Sequence, residues 1–134
     1  MMAQEAAVSL PPYAAMLGLR VEGPVLVMPF GVHLIGSPGR LHGGSLAGLM
    51  EIAANFAVRR ALAGEEATIK PINVTVDYLR EGAMEDSFAE ATIMRMGRRV
   101  ANVRVGAWQA DRARLIAAAR MNLLIGRPAA TCGS

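Results

Sequence analysis

Hydrophobic spacing changes character several times along this chain, and each change marks an element. Ser9 to Leu17 (SLPPYAAML) reads as a short helix, with Ser9 or Leu10 at its cap, prolines in the first turn and Gly18 after its end. LRVEGPVLVMPF (19–30) holds two apolar runs around the Gly23-Pro24 turn signal, which predicts a hairpin of short strands. GVHLIGSPGRL (31–41) is a loop, marked by Gly36-Ser37-Pro38-Gly39. Residues 43–63 then carry apolar side chains nearly all round a helical wheel. That predicts one long, buried helix, closed by Gly64 at the C′ position.

Beyond Gly64 the period shortens to that of strands. INVTVDYLR (72–80) alternates, with Ile72, Val74, Val76 and Tyr78 on one face. SFAEATIMRM (87–96) and VANVRVGAWQ (100–109) flank a turn at Gly97-Arg98-Arg99, and LIAAARMNLLIG (115–126) follows another around Ala110–Ala113. Strands joined by turns of a few residues are antiparallel, because parallel crossovers need a dozen residues or more. The expected class is therefore α+β, with one buried helix wrapped by a curved antiparallel sheet of about five or six strands.

With 134 residues the chain is expected to form one domain, 1–134, with 1–8 and 127–134 frayed. Its 53% hydrophobic and 19% charged residues exclude the composition of a disordered chain. The net charge of +3 is scattered and aromatics are only 4%, so no base-stacking platform and no nucleic-acid partner are expected. A small polyanion suits a modest positive excess. Cys132 is the single cysteine, so no internal disulfide and no zinc spacing exist. The first residues lack the basic and apolar regions of a signal peptide, and Glu51, Asn55 and Arg59 interrupt the best apolar run. No membrane partner is expected, and the cytoplasm is the default location.

One residue is out of keeping with its helix. Glu51 stands within GRLHGGSLAGLMEIAANFAV (39–58), and its helical neighbours Ala47, Gly48, Ala54 and Asn55 are all small. Its carboxylate projects into an uncluttered strip, where it either meets solvent or an arginine from the sheet, or performs chemistry. The helix also opens with His42-Gly43-Gly44. Helix starts present free N–H groups and a positive dipole end, which suit an oxyanion, and glycines let a carbonyl approach the backbone. The glycines equally serve a tight turn. Gly43 and Glu51 are eight residues apart, about 12 Å along a helix. If both act on one carbonyl they must come from two copies of the chain, as a homodimer with antiparallel central helices provides.

A His-Gly-Gly opening a buried helix, with an acid nine positions after the His, resembles the hotdog-fold acyl-CoA thioesterases. The similar branch is the phenylacetate-pathway (PaaI-type) and 4-hydroxybenzoyl-CoA thioesterase group. PYAAMLGLRVEG, MPFGVHLIGSPGRLHGGSLAGLMEIAA, TVDYLREG, MGRRVANVRV and LIAAARMNLLI follow in the expected order. The resemblance implies a hotdog fold, a dimer or tetramer with sites between subunits, and hydrolysis of an acyl-CoA without a cofactor, coenzyme A being part of the substrate. Glu51 would be base or nucleophile, Gly43 the oxyanion donor from the other chain, His42 a shaper of that loop, and Asn55 a polar group near the attacking water. Gly44 and Ser37 would line the substrate. Arg95 and Arg98 match positions that meet the nucleotide phosphates, and Asn73 lies on the strand that lines the pantetheine channel. Relatives often carry Asn where Ser37 stands, which makes His33 a further candidate for thioester positioning, and Asp where Glu51 stands, which leaves base and nucleophile both open.

His33 and His42 lack a Cys or carboxylate to complete a metal site, and none is expected. The nine methionines suit a core or a pliable acyl lining. Arg95, Arg98 and Arg99 beside a hairpin turn are equally compatible with solvated surface. Two other functions use similar parts: a hydroxyacyl-thioester dehydratase or hydratase, and a non-catalytic acyl-CoA binding protein.

Overall fold

The computed structural model describes residues 8–128. The α+β expectation holds, with six strands. A short helix α1 (Pro12–Leu17) leads into the hairpin β1 (Arg20–Glu22) and β2 (Val25–Met28). A single 3-10 turn (Val32–Leu34) precedes the long helix α2 (Gly43–Ala61), and β3 (Thr68–Tyr78), β4 (Ser87–Met96), β5 (Val100–Trp108) and β6 (Ala117–Gly126) follow. All pairings are antiparallel, in the order β1-β2-β4-β5-β6-β3.

The sheet alternates as expected for one packed face and one wet face. In β5, Ala101, Val103, Val105 and Ala107 are buried while Asn102 and Arg104 are exposed; in β6, Ala119, Met121, Leu123 and Ile125 are buried. These inward rows meet Leu46, Leu49, Met50, Ala53 and Phe56 of α2 in one core. Leu49 and Met50 are wholly inaccessible, so each contributes about 1.5–3 kcal/mol by leaving water.

Three sequence expectations need correction. The helix ends at Ala61 with Leu62 as cap, so Gly64 is not its C′ residue. Arg59 donates from its guanidinium to the Ala67 carbonyl, which pulls the chain into a turn, and Gly64 serves that turn with φ +87°. Strand β3 begins at Thr68, not Ile72, and contains Pro71. Proline is tolerated there because β3 is the edge of the sheet, where an N–H is not always needed. The register shifts between Pro71 and Asn73, so Ile72 is the extra residue of a bulge and leaves the row kept by Val74, Val76 and Tyr78. Finally, α2 is not buried all round: Gly44 and Glu51 are exposed and Ala47, Gly48 and Asn55 half-buried, which leaves a stripe uncovered in the single chain.

The fraying expected of 1–8 and 127–134 falls mostly outside the described residues. Val8 packs on the core, and Arg127 pairs with Glu65 at 3.0 Å and donates to the Arg98 carbonyl.

Candidate active site

The start of α2 is fixed from several directions. His42 is the N-cap, with extended backbone, and its Nδ1 accepts from the Gly44 N–H at 2.8 Å. That leaves Nε2 to carry the ring proton. The His42 N–H is spent on the Leu34 carbonyl (2.8 Å), and the Ser45 N–H on the His42 carbonyl (3.0 Å). The Gly43 N–H alone among these has no partner among the described residues. A helix start thus presents one free donor at its positive end.

Gly43 lies close against Tyr78, at the end of β3. The Tyr78 hydroxyl donates to the Gly43 carbonyl at 3.0 Å, and a Cβ built on Gly43 would lie 3.2 Å from the tyrosine ring. The preceding loop folds back on the same corner. A Cβ on Gly36 would stand 2.9 Å from the His42 Cα, so the loop that carries Ser37 lies against the cap residue. Ser37 itself is exposed and its carbonyl accepts from the Arg40 N–H at 3.0 Å. His33 is exposed, on the 3-10 turn whose next residue, Leu34, holds the His42 N–H.

Glu51 is exposed in the single chain and makes no ion pair among the described residues. The strip around it is less empty than its small residues imply. A Cβ on Gly48 would meet Tyr13 at 2.7 Å, so α1 lies across α2 one turn before the acid. Asn55, one turn after, is half-buried on the same stripe.

The other candidates lie elsewhere. Asn73, Asn122 and Asn102 form a hydrogen-bonded row across β3, β6 and β5, at 3.0 and 2.7 Å, on the sheet face turned away from α2. Arg95 pairs in register with Asn102 and extends the row into β4. A groove of about 500 Å³ lies here, lined by Arg95, Gly97, Arg99, Val100, Asn102 and Asn122. Arg98 faces a second hollow of about 490 Å³ with Arg99, Leu124 and Arg127. Arg95, Arg98 and Arg99 have no acidic partner within 4.0 Å among the described residues, so this corner is strongly positive. Within one chain, then, His42, Gly43, Gly44 and Ser37 are brought together, Glu51 and Asn55 stand along the helix, and Asn73, Arg95 and Arg98 belong to other surfaces.

Sequence reasoning missed Tyr78 and Tyr13 as neighbours of the site, and Asn102 and Asn122 beside Arg95. Nothing local marks them, since each acquires its neighbour through strand register or helix docking. Among the described residues no group of three His, Cys, Asp or Glu side chains is placed to hold a metal, and no helix is long and apolar enough to cross a membrane.

Comparison with solved structures finds the same fold repeatedly. S. sahachiroi AziG superposes with a TM-score of 0.81 at 24% identity, covering 90% of this chain and 100% of that one. The thioesterase HI1161 of Haemophilus influenzae gives 0.80 at 19% identity, covering 94% and 96%. The BH2602 protein of Bacillus halodurans, solved with CoA, gives 0.76 at 19% identity, covering 84% and 74%. No curated protein matches the chain. The family model for the acyl-CoA thioesterase N-terminal domain matches residues 35–124, which span the loop before His42, the whole of α2 and almost all of the last four strands. The chain therefore belongs to the acyl-CoA thioesterase family and is a thioester hydrolase on a hotdog fold.

Proposed function

We propose that the protein hydrolyses an acyl-CoA with Glu51 as general base and the Gly43 N–H of a second copy as oxyanion donor. The observation that carries this reading is the free Gly43 N–H at the positive end of a helix that also bears an unpaired, exposed acid. Both groups cannot serve one carbonyl from a single chain, being about 12 Å apart along the helix axis. A second copy with its α2 antiparallel supplies the missing half of each site. The uncovered stripe of α2 and the free edge of β3, with Ile72, Val74 and Tyr78 exposed, are the surfaces such a copy would cover.

In the reaction, Glu51 takes a proton from water as the oxygen attacks the thioester carbon. The developing oxyanion is held by the Gly43 N–H. The C–S bond then breaks, and the CoA thiolate takes the proton back from Glu51. The His42 cap aims the donor, and Asn55, one turn after the acid, holds the attacking water. Ser37 and Gly44 line the approach to the carbonyl. Arg95 and Arg98 would receive the nucleotide phosphates and Asn73 the pantetheine arm, each reached from outside the helix corner.

Subunit complementation tests the shared site. Glu51→Ala removes the acid, whereas Gly43→Pro removes the N–H at the first helical position, after an extended His42, and is made in a chain that also carries Tyr78→Ala so that the proline Cβ meets no ring. Each variant alone is expected to lose at least about 100-fold in turnover. Mixed and reassembled one to one, they regain about a quarter of wild-type activity, because half the dimers carry one intact site of two. No recovery from dimers shown to have exchanged subunits defeats the proposal. A single turnover in 18O-labelled water giving unlabelled acid would make Glu51 the nucleophile instead.

A further inference from the structure

The peptide unit between His42 and Gly43 has an N–H with no partner and a carbonyl that is doubly engaged. The His42 oxygen accepts from the Ser45 N–H at 3.0 Å and from the Ser45 hydroxyl at 2.7 Å. Ser45 is 6% exposed and, with Ser87, is one of the two buried polar residues among those described. The Ser87 hydroxyl accepts from Gln109 and helps anchor a loop. Among the described residues, the bond to the His42 carbonyl is the only side-chain hydrogen bond of Ser45.

A donor placed on a peptide oxygen draws electron density toward it, raises the C–N double-bond character and leaves the N–H more positive. The effect is cooperative, about 10–30% of a bond's strength per added partner. Here it falls on the one peptide whose N–H is free, and the second donor is a hydroxyl that the helix backbone does not require. We propose that Ser45 is a positioning residue, which strengthens and aims the Gly43 N–H through the His42 carbonyl. This rests on Gly43 being the oxyanion donor. Ser45 touches no substrate; it pre-sets the dipole that does, so no reorganisation is needed as charge develops.

The expected signature is a loss confined to the transition state. Ser45→Ala lowers kcat about two- to eight-fold, which is 10–30% of one oxyanion donor's usual contribution, with KM within about two-fold. Ser45→Thr, which keeps the hydroxyl, restores kcat. A spectroscopic readout separates this from a packing defect. Hexanoyl- and benzoyl-CoA analogues with a methylene in place of sulfur and 13C at the carbonyl are bound to each folded variant, and the carbonyl stretch is recorded by infrared difference. The wild type shifts the stretch to lower frequency than in water, Ser45→Ala shifts it less, and Gly43→Pro abolishes the shift. Equal shifts in wild type and Ser45→Ala overturn the Ser45 role, whatever the rates do. No shift in the wild type overturns the Gly43 assignment beneath it.

Discussion

The phenolic hydroxyl of Tyr78 donates to the Gly43 carbonyl at 3.0 Å, tying the last residue of β3 to the first of α2. The sheet edge and the helix start are thereby held as one unit, and a Cβ at 43 would press on the tyrosine ring. Gly43→Ala is expected to cost stability in the native background and much less in a Tyr78→Ala background. A double-mutant cycle by thermal melting should give a coupling of about 0.5–3 kcal/mol. Additive effects would mean the two residues do not constrain each other.

The His42 cap makes a separate prediction. His42→Ala leaves the Gly44 N–H without its 2.8 Å partner and is expected to lower stability by about 0.5–2 kcal/mol. His42→Asn, a strong capping residue, should return most of that loss in a urea titration. If the alanine and asparagine variants melt together, the histidine is not acting as a cap.

Strand β3 offers a test of assembly. Ile72 sits exposed on the bulge and Val74 follows on the free edge. Lysine at both positions places charge where a second chain would add a strand, and edge lysines oppose such pairing. The double variant Ile72→Lys, Val74→Lys should sediment as a folded monomer with turnover near that of Glu51→Ala. A fully active monomer would contradict the two-chain site.

On the outer sheet face, Arg104 and Arg120 stand directly opposite one another on β5 and β6, both exposed and without an ion pair among the described residues. Like charges in register are unfavourable. Arg120→Thr relieves the repulsion and faces Thr75 across β3, so a gain of roughly 0.5 kcal/mol is expected. Screening predicts that the gain shrinks as salt rises from about 0.01 to 1 M, which melting in a salt series would reveal.

Much of this fold was legible because it is written in local period and punctuation. The His42-Gly43-Gly44 opening, the left-handed glycines 18 and 23, and the strands over 87–96 and 100–108 all lie where spacing placed them. The errors share one cause, which is tertiary override. The strand expected from Ile72 starts at Thr68 and runs through Pro71 because β3 is an edge, and Gly64 reads as a helix stop until Arg59 is seen to reach Ala67. The acid and the free amide were visible as residue types at a spacing, whereas Tyr78, Ser45 and the asparagine row exist only through register and docking.

The contact between Tyr13 and Gly48 carries a practical consequence. It lays the leading helix over the central one a single turn ahead of Glu51, with Val8 also held against the core. Residue 8 lies five positions before Tyr13, the side chain that borders the strip carrying the acid. For biochemistry, a fluorophore in place of Tyr13 would sit beside the carboxylate's strip and report on what passes it.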